Sequence, residues 1–337
     1  MNFAAAFLPA ILSLAAFSSC SGGGGSDDTN GAPQDGERDF RADMRQFVQA
    51  ISAQAKARRP GFLVIPQNGL ELLTLDGTDG GPLASAYADA IDGVGREDLF
   101  YGFDNDNEPT PPVDRDYLLG FCERARVEGI PILVTDYCST LAFVDDSYLQ
   151  NFNQGLLSFA APARELDVVP LYPAQIARRN NGNVDSLAQV QNFLYLLNPD
   201  TLVTTLGRSG HLTSLQNTGY DLLLLDAFID GTVLTATEGA TLATKPGGGR
   251  RLRIAYMSIG EAEDYRFYWN PAWTTAPPAW LAAQNPDFPG NFKVRYWDPE
   301  WQAIVLGPGG YLDRIQQAGF DGVYLDLIDA FEFFEGD

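Results

Sequence analysis

Histidine and positive charge are what this sequence has least of. Its 337 residues carry 44 Asp and Glu against 22 Lys and Arg, a net charge of −22 at pH 7. A surface of that sign repels nucleic acid and anionic lipid head groups, so neither is an expected partner. The single histidine, His211, removes Ser-His-Asp and Cys-His nucleophile schemes and His-rich metal sites. It reads as a surface residue near the start of a helix at 211–219. The glycine runs at 22–25 and 247–249 fall in a tether and a loop, not between a strand and a helix, so they are given no phosphate role. No metal and no cofactor is expected.

Cysteines are also few, three in all. Cys20 closes the apolar run MNFAAAFLPAILSLAAFSSC, which is short for a membrane span and reads as an export signal. The FSSC ending looks like a bacterial lipobox with Cys20 lipidated after cleavage, and residues 21–37 read as a flexible polar tether. The expectation is an exported lipoprotein in the periplasm or at the cell surface that meets the membrane through its lipid alone, with a plain secreted protein as the alternative. A monomer is expected. Cys122 lies on a helical face and Cys138 just beyond a strand. Export permits a disulfide between them, and two buried thiols are the other reading.

What remains, residues 38–337, reads as one domain. Eight runs are dense in Val, Ile, Leu or Tyr, as strands buried on both faces should be: 61–66, 90–95, 131–137, 167–172, 192–198, 221–227, 253–261 and 322–329. Helical periodicity fills the gaps at 39–57, 114–128, 147–166 and 309–318. Alternating strands and helices argue for a parallel sheet closed as a (β/α)8 TIM barrel, with a doubly wound open sheet as the alternative. The folded part opens on a helix and closes on a strand with a short tail. Joining tail to start gives one continuous strand, loop and helix, so a circular permutation is expected, cut in the loop after the strand that carries Asp326.

Chemistry on such a fold sits at the C-terminal ends of strands. Asp326, Asp226, Asp136 and Glu261 occupy such positions, Glu97 follows another strand, and Asp329 lies three residues past Asp326. A single acid at a strand end is most simply a helix cap or a ligand of backbone amides. Several converging on one face point instead to carboxylate chemistry. Aromatic residues that would suit the C–H faces of sugars lie nearby: Tyr256, Tyr265, Tyr268 and Trp269, then Tyr296, Trp297 and Trp301.

The segments AYMSIGEAEDYRFYW (255–269), NFKVRYWDPEWQAIV (291–305) and GFDGVYLDLIDAFEFF (319–334) resemble glycoside hydrolase family 114, and within it the bacterial and archaeal branch. PGFLVIPQNGLELL (60–73) with AIDGVGREDLFYG (90–102) resembles the part that ordinarily follows, so the halves look exchanged. The characterised members are endo-α-1,4-polygalactosaminidases. The resemblance implies a retaining endo-glycosidase with Asp326 as nucleophile and Glu97 as acid/base. It implies Asp226 and Glu261 as active-site acids, and Arg266 and Asp298 as substrate-binding or supporting residues. Gln67 and Asn68, at a strand end, could bind hydroxyls. Asp136, Tyr256, Trp269 and Trp297 complete the expected substrate-binding set. This chain has Leu325-Asp326-Leu327 where the polygalactosaminidase branch has Pro-Asp-Asn, so the sugar stays open. A non-catalytic carbohydrate-binding surface lipoprotein is the alternative. A metal-dependent deacetylase has only His211 to draw on.

Overall fold

Asp39 accepts the Ala42 amide at 2.8 Å and so fixes where the first helix, Phe40–Arg58, begins, since the opening amides of a helix have no partner within it. Phe40, Met44, Phe47, Val48 and Ile51, the stripe that the helical spacing predicts, are all buried. This is a computed structural model, and it describes residues 38–336. The export signal, Cys20 and the tether lie outside the described residues.

Eight parallel strands organise the chain: β1 (Leu63–Pro66), β2 (Val94–Glu97), β3 (Ile132–Tyr137), β4 (Leu157–Ala161), β5 (Phe193–Leu196), β6 (Leu222–Asp226), β7 (Leu252–Ser258) and β8 (Gly322–Asp326). One five-stranded sheet runs β1-β8-β7-β6-β5 and a three-stranded sheet runs β2-β3-β4. A parallel bridge between Gln67 and Gly95 links β1 to β2. On the other side Phe159 of β4 and Phe193 of β5 meet with ring centroids 5.7 Å apart. The result is a mixed α/β fold around a parallel sheet, compatible with the expected barrel-type architecture. Near-continuous burial of β3, β5, β7 and β8 follows from helices covering the sheet.

Seven of the eight strand expectations fall on observed strands, and one is corrected. Residues 167–172 form no strand, and Leu171 is 95% exposed. The fourth strand comes earlier, from within the stretch expected to be helical to 166. Helix Leu141–Asn153 stops there, and Gly155, at φ 74°, supplies the left-handed residue that ends a helix. Leu-Ser-Phe-Ala-Ala then enters the sheet. A second correction concerns His211. The helix Asp200–Gln216 is broken at Gly207, whose φ and ψ are not helical, so His211 does lie near a helix start, but it is buried with Leu212 and Leu215 and is not a surface residue. The imidazole is 2% exposed, and burial lowers its pKa. Of the two readings for Cys122 and Cys138, buried free thiols hold.

Antiparallel segments Glu261–Glu263, Asn291–Val294 and Leu281–Gln284 form a ribbon beyond β7. It builds one wall of the cleft described next. At the opposite end of the sheet Asp221 and Asp321 each stand one residue before a strand. Lys245 pairs with Asp221 at 2.6 Å, and Arg253 with Asp321 at 3.0 Å.

Candidate active site

The C-terminal ends of the strands open into a cleft of about 1590 Å³. Side chains on a strand alternate between faces, so every second residue points the same way. On β8 that parity joins Tyr324 to Asp326. On β2 it joins Gly95 to Glu97. Gly95 must be glycine, because a Cβ there would lie 1.8 Å from the Tyr324 hydroxyl. This close approach lets the end of β8 and the end of β2 share one space.

Asp326 and Glu97 both line the cleft and are held in different ways. Glu97 accepts hydrogen bonds from the Tyr137 hydroxyl and the Gln67 side-chain amide, and a third from Asn68 Nδ2 at 3.0 Å. Tyr195 in turn donates to Gln67 Oε1 at 3.0 Å, which orients that amide. Asp326 accepts from the Tyr256 hydroxyl at 2.6 Å and from its neighbour's amide, Leu327 N, at 2.9 Å. Burial, and then the charge of Glu97, raise the Asp326 carboxyl well above the usual carboxylate range. Tyr137, Tyr195 and Tyr256 are likewise raised, first by burial and then by neighbouring carboxylates, so they remain proton donors at neutral pH. The phenols come from odd-numbered strands and the carboxylates they support from even-numbered ones.

Around this pair, Asp226 is fixed by Arg266 at 2.6 Å and by the Phe228 amide at 2.8 Å, and burial raises it above the ordinary carboxylate range. Arg266 also clamps Glu263. Glu261 is matched by Lys293 at 2.7 Å and by Asn285 at 2.9 Å. Asp329 is pushed up to about 6, chiefly by burial and against the pull of Lys293. The cleft thus gathers Asp326, Glu97, Asp226, Glu261, Tyr256, Arg266, Gln67 and Asn68 from the expected set.

Four expected residues do not line it. Asp136, fully buried, accepts from the amides of Phe100 and Tyr101 and from Ser147 and Asn151 at 2.6 to 3.3 Å. It is the ligand of backbone amides that a lone acid at a strand end most simply is. Strand alternation turns its neighbour Tyr137 to the cleft instead. Trp269 stacks on Phe292 with centroids 5.1 Å apart. Trp297 packs among Phe40, Phe334 and Arg38. Asp298 caps helix Pro299–Leu306 through the Glu300 amide at 2.8 Å.

Residues not anticipated include Tyr137, Tyr195, Glu263 and the pair Asp98 and Arg164. Asp98, at φ 59°, directly follows Glu97, and Arg164 grips its carboxylate at 2.9 and 3.2 Å. The same guanidinium lies over the Tyr137 ring, 4.1 Å from its centroid. Alternation along 131–137 puts Asp136 and Tyr137 on opposite faces, and only the fold shows which of them meets the cleft. No local signal marks Arg164, which acts across 66 residues of sequence.

Buried, hydrogen-bonded carboxyl groups thus stand together at strand ends in a large cleft. Residues 227–336 match the model of glycoside-hydrolase family GH114, and this part of the chain is a sequence of that family's type. An uncharacterized protein of Deinococcus radiodurans is 48% identical over 122 residues, 36% of this chain and 37% of that protein. One from Methanocaldococcus jannaschii is 38% identical over 155 residues, 46% of this chain and 42% of the other. A third, from Thermotoga maritima, is 40% identical over 119 residues, 35% and 36% of the two chains. The matches therefore span about two fifths of the length of these curated relatives.

Proposed function

We propose that the protein is a retaining endo-glycosidase that hydrolyses a polysaccharide, with Asp326 as nucleophile and Glu97 as acid/base. The observation that carries this reading is the meeting of two carboxyl groups from different strand ends in one cleft, each held by hydroxyl and amide donors. Retaining hydrolysis requires one carboxyl group ionised and the other protonated. Attack requires Asp326 to be ionised and Glu97 to carry the proton. An Asp326 oxygen then bonds to the anomeric carbon as the glycosidic C–O bond breaks, and Glu97 protonates the departing oxygen. Glu97 next takes a proton from water, whose oxygen displaces Asp326 from the sugar.

A cationic, galactosamine-containing α-1,4 polymer is the proposed substrate. Its support is the cleft's lining of fifteen acidic residues against four basic ones, of which Arg164, Arg266 and Lys293 are already paired with acids. The same reading takes the eight strands as a closed barrel, circularly permuted with the cut in the loop after β8. Contacts of Phe40 with Phe334 and of Arg41 with Glu335 support it. It also takes the protein to be exported and lipid-anchored.

The test is incubation of wild type, Asp326→Asn and Glu97→Gln with galactosaminogalactan, before and after deacetylation, and with a panel of neutral polysaccharides. The deacetylated polymer should be cleaved fastest. Each substitution should lower turnover by about 10²–10⁴-fold. Equal cleavage by wild type and Asp326→Asn would remove Asp326 from the reaction.

A further inference from the structure

Aromatic rings in this protein are overwhelmingly packed away. Among the described residues the exposed aromatic side chains are Tyr117, Phe152 and Tyr265, and two of these three, Tyr117 and Tyr265, line the cleft. They are 43% and 58% exposed. The other tyrosines of the cleft, Tyr137, Tyr195 and Tyr256, are buried and spend their hydroxyls on the carboxyl pair and its supports.

Both exposed rings are held by the same device. Tyr117 donates its hydroxyl to Glu71 at 2.9 Å, and Tyr265 donates to Glu263 at 2.6 Å. Each ring is braced a second time. Phe121 meets Tyr117 edge-on with centroids 5.3 Å apart, and the Arg266 guanidinium lies over Tyr265 at 5.2 Å. A tyrosine fixed at its hydroxyl and backed by a second group keeps its ring in place and loses little further freedom on binding.

Their placement brackets the chemistry. Tyr265 follows β7, Asp326 ends β8, Gln67 and Asn68 follow β1, Glu97 ends β2, and Tyr117 sits on helix Pro112–Val127 beyond β2. Those four strands are neighbours in that order. The cleft, at about 1590 Å³, exceeds the roughly 300–1,000 Å³ of a small-molecule pocket, so there is room for sugar units on both sides of the carboxyl pair.

We propose that Tyr117 and Tyr265 are two stacking platforms for pyranose rings of the bound polysaccharide, one on each side of the scissile bond. This rests on the hydrolase reading above. A ring offers an apolar face to the C–H face of a sugar, while the carboxylates around it take the polar edge.

The experiment is affinity electrophoresis in gels containing deacetylated galactosaminogalactan, chitosan or a neutral galactan. The proteins are wild type, Tyr117→Phe, Tyr117→Leu, Tyr265→Phe and Tyr265→Leu. Leucine keeps bulk without a ring, and phenylalanine keeps the ring without the hydroxyl. Each leucine variant should bind the retarding polymer about three- to tenfold more weakly, the size of one aromatic contact, and the phenylalanine variants should stay close to wild type. Cleavage products of a leucine variant should also change in length, because one side of the cleft has lost its grip. Leucine variants that bind and cleave as wild type does would overturn the platforms and leave the hydrolase reading standing. Wild type that binds none of the polymers would overturn the hydrolase reading, and the platforms with it.

Discussion

The two ends of the parallel strands both bury carboxylates, and the central ones at each end are held differently. At the N-terminal end each acid has a cation. Asp221 is fully buried against Lys245, which also donates to the Asn180 carbonyl at 2.8 Å. Asp321 is met by Arg59, Arg250 and Arg253 at 2.6 to 3.1 Å. Asp92 is met by Lys56 at 3.0 Å and by the Val64 amide at 2.8 Å. At the C-terminal end Asp98, Asp226 and Glu261 also meet cations, in Arg164, Arg266 and Lys293, while Asp326 and Glu97 are held by hydroxyls and amides. Compensated charge ties loops to strand starts. Burial among hydroxyls and amides raises the Asp326 carboxyl above its ordinary value, and that is a capacity for chemistry.

Three substitutions can break or sharpen this contrast. The largest effect belongs to the N-terminal end. Lys245→Met strands Asp221 in a dry site and should cost about 3–5 kcal/mol, a fall in Tm on the order of 10 °C for a chain of this size. Thermal melts check it, and the double change Lys245→Met with Asp221→Asn should recover part of the loss. A smaller effect of opposite sign belongs to the C-terminal end. Asp326 is raised above its unfolded value of about 3.9. The folded protein therefore retains a proton that the unfolded chain releases, and stability is lost as pH rises from about 4. Asp326→Asn should remove that loss, stabilising the protein at pH 7 by on the order of 1 kcal/mol and leaving it unchanged near pH 3.5. Melts at both pH values decide this, and an equal gain at both would mean that the proton is not the cause. The smallest effect is at Asp298. Asp298→Ala deletes a helix cap and should cost about 1 kcal/mol with no change in the rate of polysaccharide cleavage, since the carboxylate lies outside the cleft.

Strands were legible wherever apolar runs were long and bounded by Gly, Pro or Asp, as at 131–137, 221–227 and 322–329. They were illegible where two short apolar runs competed. Residues 167–172 are richer in β-branched side chains than Leu157–Ala161, so composition favoured the wrong run, although Pro170 within it removes a ladder donor. The acids of the cleft were legible as strand-end residues, with one failure in kind. Asp136 and Tyr137 are adjacent, and whichever of them faces the cleft is set by the parity of β3, which composition does not reveal. Trp269, Trp297 and Trp301 show the same limit for aromatics, because proximity in sequence to an acidic strand end did not place any of them in the cleft.

The sequence by itself determined the parallel strands, through alternating buried runs and helical stripes, and determined that carboxylates would stand where those strands end. It also determined the excess of acid over base that any ligand of the cleft must meet. Only the tertiary structure decided which carboxylates meet. Asp326 and Glu97 are more than two hundred residues apart, and their meeting in one cleft depends on β8 and β1 pairing, on Gly95 admitting the Tyr324 hydroxyl, and on Tyr137, Gln67 and Asn68 reaching Glu97. A carboxyl group's proton affinity is fixed by burial and by neighbours within a few ångströms, and those neighbours are assembled by folding.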